Sequence, residues 1–140
     1  MKEVLRAVTK NAKQTEIFAE AFAKEVSRLN LGRAVVIGLE GELGAGKTTF
    51  AKGFAKGLGI KEAMKSPTFI LMRVFRTKKR NFFHIDAYRD QLDFTEFLKS
   101  NKNILLIEWS DKAKKFLPRD YFLFKLRHFG KNQREIKLYA

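Results

Sequence analysis

The sequence predicts a three-layer α/β fold with a mainly parallel central sheet, and three observations predict it. Apolar runs of strand length occur at Ala34 to Leu39 (AVVIGL) and Ile104 to Ile107 (ILLI) without polar alternation, as in strands buried on both faces. Helical spacing precedes the first run and follows it. The first run also passes straight through a glycine-rich turn into a helix, the junction at which open α/β sheets place ligands. The chain closes on two alternating runs, Tyr121 to Arg127 and Arg134 to Tyr139, joined by HFGKNQ, which reads as a C-terminal β-hairpin.

Taken in order, MKEVLRAVTK lacks the apolar core of a secretory signal and is assigned no element. From Asn11 the spacing becomes helical: Ile17, Phe18, Ala21, Phe22, Val26 and Leu29 form the expected buried face, with Glu20, Lys24 and Arg28 opposite. Asn11 and Gln14 resemble a capping box, and Gly32 is the expected stop. Any nucleotide contact of this helix comes from its polar start, Thr9 to Thr15. The strand AVVIGL leads into Gly41 to Thr49, GELGAGKTT, and then into a helix over 48–58 that ends near Gly57 and Gly59. Pro67 blocks helix in KSPTFILMRVF, whose following residues favour a strand. RTKKRN reads as a turn into the strand FFHID. Gln91 to Lys99, with Asp93 as cap, and Ser110 to Phe116 are expected as short helices around the strand ILLIE.

GELGAGKT fits GxxxxGK[ST], the phosphate-binding P-loop, so the expected fold is a P-loop NTPase-like domain spanning 1–140. Glycine permits positive φ and close backbone approach, so successive N–H groups of Gly44, Ala45, Gly46, Lys47 and Thr48 can form one anion nest, with Thr49 completing the stretch. Lys47 supplies a point charge for the terminal phosphates, and the Thr48 hydroxyl can ligate Mg²⁺. The following helix adds a dipole term of roughly 0.3–1 kcal/mol.

Hydrolysis also needs an acid near the metal and a group that orients water. Two apolar strands end in an acid, at Asp86 and Glu108. If both flank the P-loop strand, one holds the metal and the other orients or activates water, and the sequence leaves open which. Thr68 lies between the P-loop helix and the first acid, where P-loop hydrolases often sense the γ-phosphate. His84 reads as a strand residue hydrogen-bonded in place. There is no Cys, and two His cannot build a zinc site. Fourteen Phe predict an aromatic core, and no apolar run reaches membrane-spanning length, so a cytoplasmic location is expected. The net charge of +14 favours polyanionic partners without naming one.

GELGAGKTTF, SPTF, the H-x-D-x-Y-R of HIDAYRD and the IEW of ILLIEW together resemble the bacterial TsaE (YjeE) family, in the order found there. The resemblance implies a P-loop ATPase of low intrinsic, partner-dependent rate. It would act with TsaD and TsaB homologues to form the threonylcarbamoyl group on adenosine 37 of tRNA, near the tRNA, away from membranes and as a monomer when alone. ATP and Mg²⁺ are the implied cofactors. By motif, Lys47 and Thr48 hold phosphates and Mg²⁺, Glu108 is the second metal ligand, and Asp86 serves hydrolysis. Thr68 falls in the switch-like segment, Trp109 lies beside the nucleotide, and Arg134 contacts ATP. The chain departs from the family in the shorter interval between Asp86 and Glu108, in SDKAKKF after the IEW, and in its basic charge.

Two rival readings remain at this level: a small P-loop kinase, and an RNA-binding module without ATP turnover. A GTPase is disfavoured, because the nearest string to NKxD is the NKNI of Asn101 to Ile104.

Overall fold

Residues 1–42, 44–62, 71–89 and 92–140 are described by a computed structural model. Seven strands form one sheet: β1 (Glu3–Thr9), β2 (Val35–Glu40), β3 (Met72–Arg76), β4 (Asn81–Asp86), β5 (Asn103–Glu108), β6 (Phe122–His128) and β7 (Arg134–Tyr139). Their order is β1-β7-β6-β2-β5-β4-β3. The four central strands β6, β2, β5 and β4 run parallel, and antiparallel strands close both edges. The fold is therefore α/β, with the expected parallel centre and terminal hairpin. From β2 the chain passes to β3 at one edge, returns inward through β4 and β5, and then crosses to β6 on the other side of β2. That reversal makes the carboxyl end of β2 a topological switch point.

Two α-helices, α1 (Ala12–Val26) and α2 (Lys47–Gly57), cover one face of the sheet. Asn11 caps α1 by accepting from the Gln14 N–H, and the Gln14 side chain accepts in return from Lys10 N. The buried stripe of α1 is rotated from the expected one. Thr15, Ala19, Ala23 and Val26 face inward, with Phe18 and Phe22 packed at the margin, whereas Ile17 is 53% exposed and Ala21 is exposed.

Close helix packing explains the rotation. A Cβ on Gly53 of α2 would lie 2.2 Å from the Glu16 carbonyl oxygen, and one on Gly57 would lie 2.4 Å from that of Glu20. The backbones meet where both sides are small, so alanines displace the larger side chains from the seam. Gly53→Ala is therefore expected to destabilise by about 1–3 kcal/mol, the usual cost of overpacking, despite alanine's better helix propensity. Urea denaturation measures it, and an unchanged midpoint would refute the seam.

The aromatic core is present: Phe22 meets Phe124 edge to face at 4.7 Å, and Phe50, Phe54 and Phe82 continue the row. The opposite face is covered differently from the expectation. In place of short α-helices, single 3₁₀ turns stand at Thr95–Leu98, Ser110–Lys112 and Lys114–Phe116. The Asp93 carboxylate accepts from both the N–H and the hydroxyl of Thr95, which holds a tight turn in place of a helical start. Phe94, Phe97, Leu98 and Phe116 still close the second apolar layer over Val36, Leu105 and Ile107.

Strand β1 was not expected. Its Arg6 joins Arg127 in donating to Glu135 on β7, at 2.8 and 2.6 Å from their Nε atoms. The Arg127 hydrogen bond, reinforced by Arg6, holds the Glu135 carboxyl down at about 2. Among the described residues, no helix is long and apolar enough to cross a membrane.

Candidate functional site

The carboxyl ends of the central strands deliver the candidate residues to one cleft. Val35–Glu40 stops at Gly41, where a Cβ would approach the Leu126 carbonyl oxygen to 2.5 Å, so the chain can turn there only as glycine. Gly46, at φ 103°, then starts α2 as its N-cap. It offers no side chain to the first N–H groups of the helix, and no acidic residue stands in the first turn. Those donors therefore remain available to an anion.

A cleft of about 450 Å³ opens here, lined by Gly44, Gly46, Lys47, Thr48, Thr49, Asp86, Tyr88, Arg89, Glu108, Trp109 and Arg134. Ala45 is buried just behind it. Of the expected site residues, only Thr68 lies outside the described residues.

Lys47 is 6% exposed, and its ammonium donates to the carbonyl oxygens of Gly41 and of Glu42, the latter at 2.9 Å. It also sits 4.0 Å from the centre of the Trp109 ring. Burial lowers its pKa, while the carboxylates of Glu108, Asp111 and Asp86 favour the charged form. The charge thus rests on weak neutral acceptors and an aromatic face, interactions that a phosphate oxygen would outcompete.

The two acids do not both flank the P-loop strand. Glu108 ends β5, directly beside β2 and in register with Leu39, whereas Asp86 ends β4, one strand further out and level with Glu108. Strand β6 takes the other side of β2, so the pair approaches the loop from one direction. Burial raises the Asp86 carboxyl above its usual range, opposed by the hydrogen bond from Tyr88 N at 2.9 Å. Glu108 is 4% exposed and receives a hydrogen bond from His84 at 2.6 Å. His84 is therefore held in place, as its position on an apolar strand suggested.

Trp109 follows Glu108 in a left-handed conformation, φ 59° and ψ 43°, which costs a bulky residue about 1–3 kcal/mol. The Tyr88 ring at 4.7 Å and the Lys47 ammonium hold it over the cleft. Arg134, at the base of the hairpin, donates to the Gly44 carbonyl oxygen at 3.0 Å and so braces the loop from β7. It also borders a side recess of about 230 Å³ with Asn11, Ala12, Thr15, Gly46, Thr49 and Asn132. The polar start of α1 therefore stands beside the loop, with the Thr9 and Thr15 hydroxyls 2.6 Å apart.

Tyr88, Arg89 and Asn132 were not singled out from the sequence. Tyr88 and Arg89 belong to the H-x-D-x-Y-R element, which could have flagged them, whereas Asn132 carries no signal beyond its turn.

The donors available for a cation are the Thr48 hydroxyl and the carboxylates of Glu108 and Asp86, all hard oxygens. Among the described residues no cluster of three or more acidic, imidazole or thiol side chains forms a metal cage. An open oxygen set of this kind fits Mg²⁺, which keeps waters and shares its shell with substrate phosphates.

Comparisons with known proteins agree with this geometry. A family model described as threonylcarbamoyl adenosine biosynthesis protein TsaE matches residues 9–136. A tRNA threonylcarbamoyladenosine biosynthesis protein TsaE of Aquifex aeolicus is 39% identical over 120 residues, covering 84% of this chain and 85% of that one. Its namesake in Bacillus subtilis is 34% identical over 140 residues, covering 94% and 83%. The crystal structure of Bacillus subtilis YdiB superposes with a TM-score of 0.80 at 30% identity, covering all of this chain and 88% of that one. A match across 9–136, joined to a glycine-rich loop facing two strand-end acids, places this chain in the TsaE family of tRNA threonylcarbamoyladenosine biosynthesis proteins.

Proposed function

We propose that this chain binds ATP with Mg²⁺ and hydrolyses it slowly, in support of TsaD and TsaB homologues that form the threonylcarbamoyl group on adenosine 37 of tRNA. The observation that carries the proposal is the meeting of an uncapped α2 N-terminus, a buried Lys47 with no salt-bridge partner among the described residues, and the acids Asp86 and Glu108 in one cleft. The α2 N–H groups and Lys47 bind and orient the phosphates. Thr48 and Glu108 would hold Mg²⁺. Bound there, the ion would neutralise charge developing on the phosphate oxygens.

Asp86 is free of salt bridges among the described residues and orients the attacking water. Trp109 and Tyr88 keep bulk water off one side of the site. Thr68 senses the γ-phosphate and relays its loss to the partner proteins. Residues 1–140 act as one ATPase domain, monomeric alone, cytoplasmic, and brought near tRNA by its partners.

Steady-state ATP hydrolysis, measured with and without purified TsaD and TsaB homologues, tests the proposal. A slow Mg²⁺-dependent rate that rises when both are added is expected. Absence of Mg²⁺-dependent ATP binding would refute it.

A further inference from the structure

We infer that His84 is a positioning residue for the cation site: it fixes the Glu108 carboxylate so that the second oxygen faces the cleft. The inference rests on the ATP and Mg²⁺ reading above and concerns how that site is built. His84 is fully buried, 0% exposed, and its ring lies parallel to Phe82, 7° between planes at 6.3 Å. Its Nε2 stands 2.6 Å from Glu108 Oε2, while Nδ1 is buried with no partner among the described residues. That contrast assigns the shared proton. An N–H at Nδ1 would be a buried donor without an acceptor, so the imidazole carries its hydrogen on Nε2 and donates it to the carboxylate.

The same bond governs Glu108. At 4% exposure its carboxylate must be offset by a hydrogen bond or a charge, and His84 is its one hydrogen-bond and ion-pair partner among the described residues. Lys47 is engaged with the carbonyls of Gly41 and Glu42. With Oε2 tied to His84 behind the cleft lining, Oε1 is the oxygen left for the cleft. An imidazole retained only for packing would carry an apolar replacement at no cost to ligand binding. Among the described residues this ring makes one polar contact, and makes it to a residue that lines the site. Outer-shell partners of this kind set the orientation of metal ligands, and their loss costs about 10–100-fold in metal affinity.

The test uses the intact protein, His84→Phe, which keeps the ring and loses the donor, and His84→Gln, which keeps a side-chain N–H. Trp109 is the only tryptophan and lines the cleft, so energy transfer from it to a fluorescent ADP analogue reads binding directly. Mg²⁺ is titrated at fixed analogue, and affinity in EDTA and the melting temperature are recorded in parallel.

His84→Phe is expected to raise the Mg²⁺ concentration at half-maximal effect about 10–100-fold while leaving the EDTA affinity unchanged, and His84→Gln to recover most of the loss. An unchanged Mg²⁺ midpoint in folded His84→Phe overturns the inference. So does an EDTA affinity that falls by the same factor, or glutamine performing no better than phenylalanine. If wild type binds the analogue equally in Mg²⁺ and EDTA, the underlying Mg²⁺ reading fails, and the inference fails with it.

Discussion

Lys47→Ala is expected to weaken nucleotide binding and to cut ATP hydrolysis by at least about 10²–10³-fold, the loss that follows removal of one preorganised donor to developing charge. The cleft has a specific electrostatic reason to depend on this side chain. Asp86, Asp111 and Glu108 all act on the Lys47 ammonium, and without it they would present an uncompensated negative field to a triphosphate. The remaining donors, the α2 N–H groups, carry only partial charge, and their dipole contribution is roughly 0.3–1 kcal/mol. Stability should change little, because among the described residues the ammonium meets only carbonyl oxygens of its own loop and the Trp109 face, and its burial already disfavours the charged form. Calorimetric titration with Mg·ADP, alongside a thermal melt, separates the two effects. A folded variant that hydrolyses ATP at the wild-type rate would move the chemistry out of this cleft.

Much of this site was legible because its parts are local. GELGAGKTT needs only its own backbone to form a cradle, and the runs ending in Asp86 and Glu108 declare buried parallel strands by lacking alternation. Strand order is not local. Nothing in FFHID or ILLIE says which strand lies beside β2, because that depends on how the chain between them crosses over, so the adjacency of Glu108 and the outward place of Asp86 had to come from the structure.

Strand β1 was missed for a related reason. EVLRAVT carries Glu3 and Arg6 and leaves Val4, Leu5 and Val8 exposed, so it forms as an edge strand through pairing with β7 and not through a buried face of its own. The inward face of α1 is not the one its larger apolar residues mark. At a seam where Gly53 and Gly57 admit a backbone, alanine is the better inward residue, and Ile17 is left outside. The pairing of His84 with Glu108 was invisible in sequence, since the two are 24 positions apart and meet only through the register of β4 on β5.

The second large effect separates the two acids. Asp86→Asn is expected to cut turnover about 10²–10⁴-fold, the range for loss of a group that accepts or orients a proton in the transition state, while nucleotide affinity stays within a few-fold. Asparagine keeps the geometry: its side-chain oxygen can still accept from Tyr88 N, so the β4 end and the cleft lining should persist. What it loses is the negative charge that the proposed role uses to draw a water proton. Glu108→Gln should fail differently, raising the Mg²⁺ requirement, because its carboxylate is the one held by His84 in the strand beside the P-loop. Single-turnover hydrolysis at saturating Mg²⁺ distinguishes the pair: Glu108→Gln should recover with added metal, and Asp86→Asn should not. If Asp86→Asn recovers and Glu108→Gln stays inactive at every Mg²⁺ concentration, the roles are exchanged, and the water is oriented from the strand next to the loop.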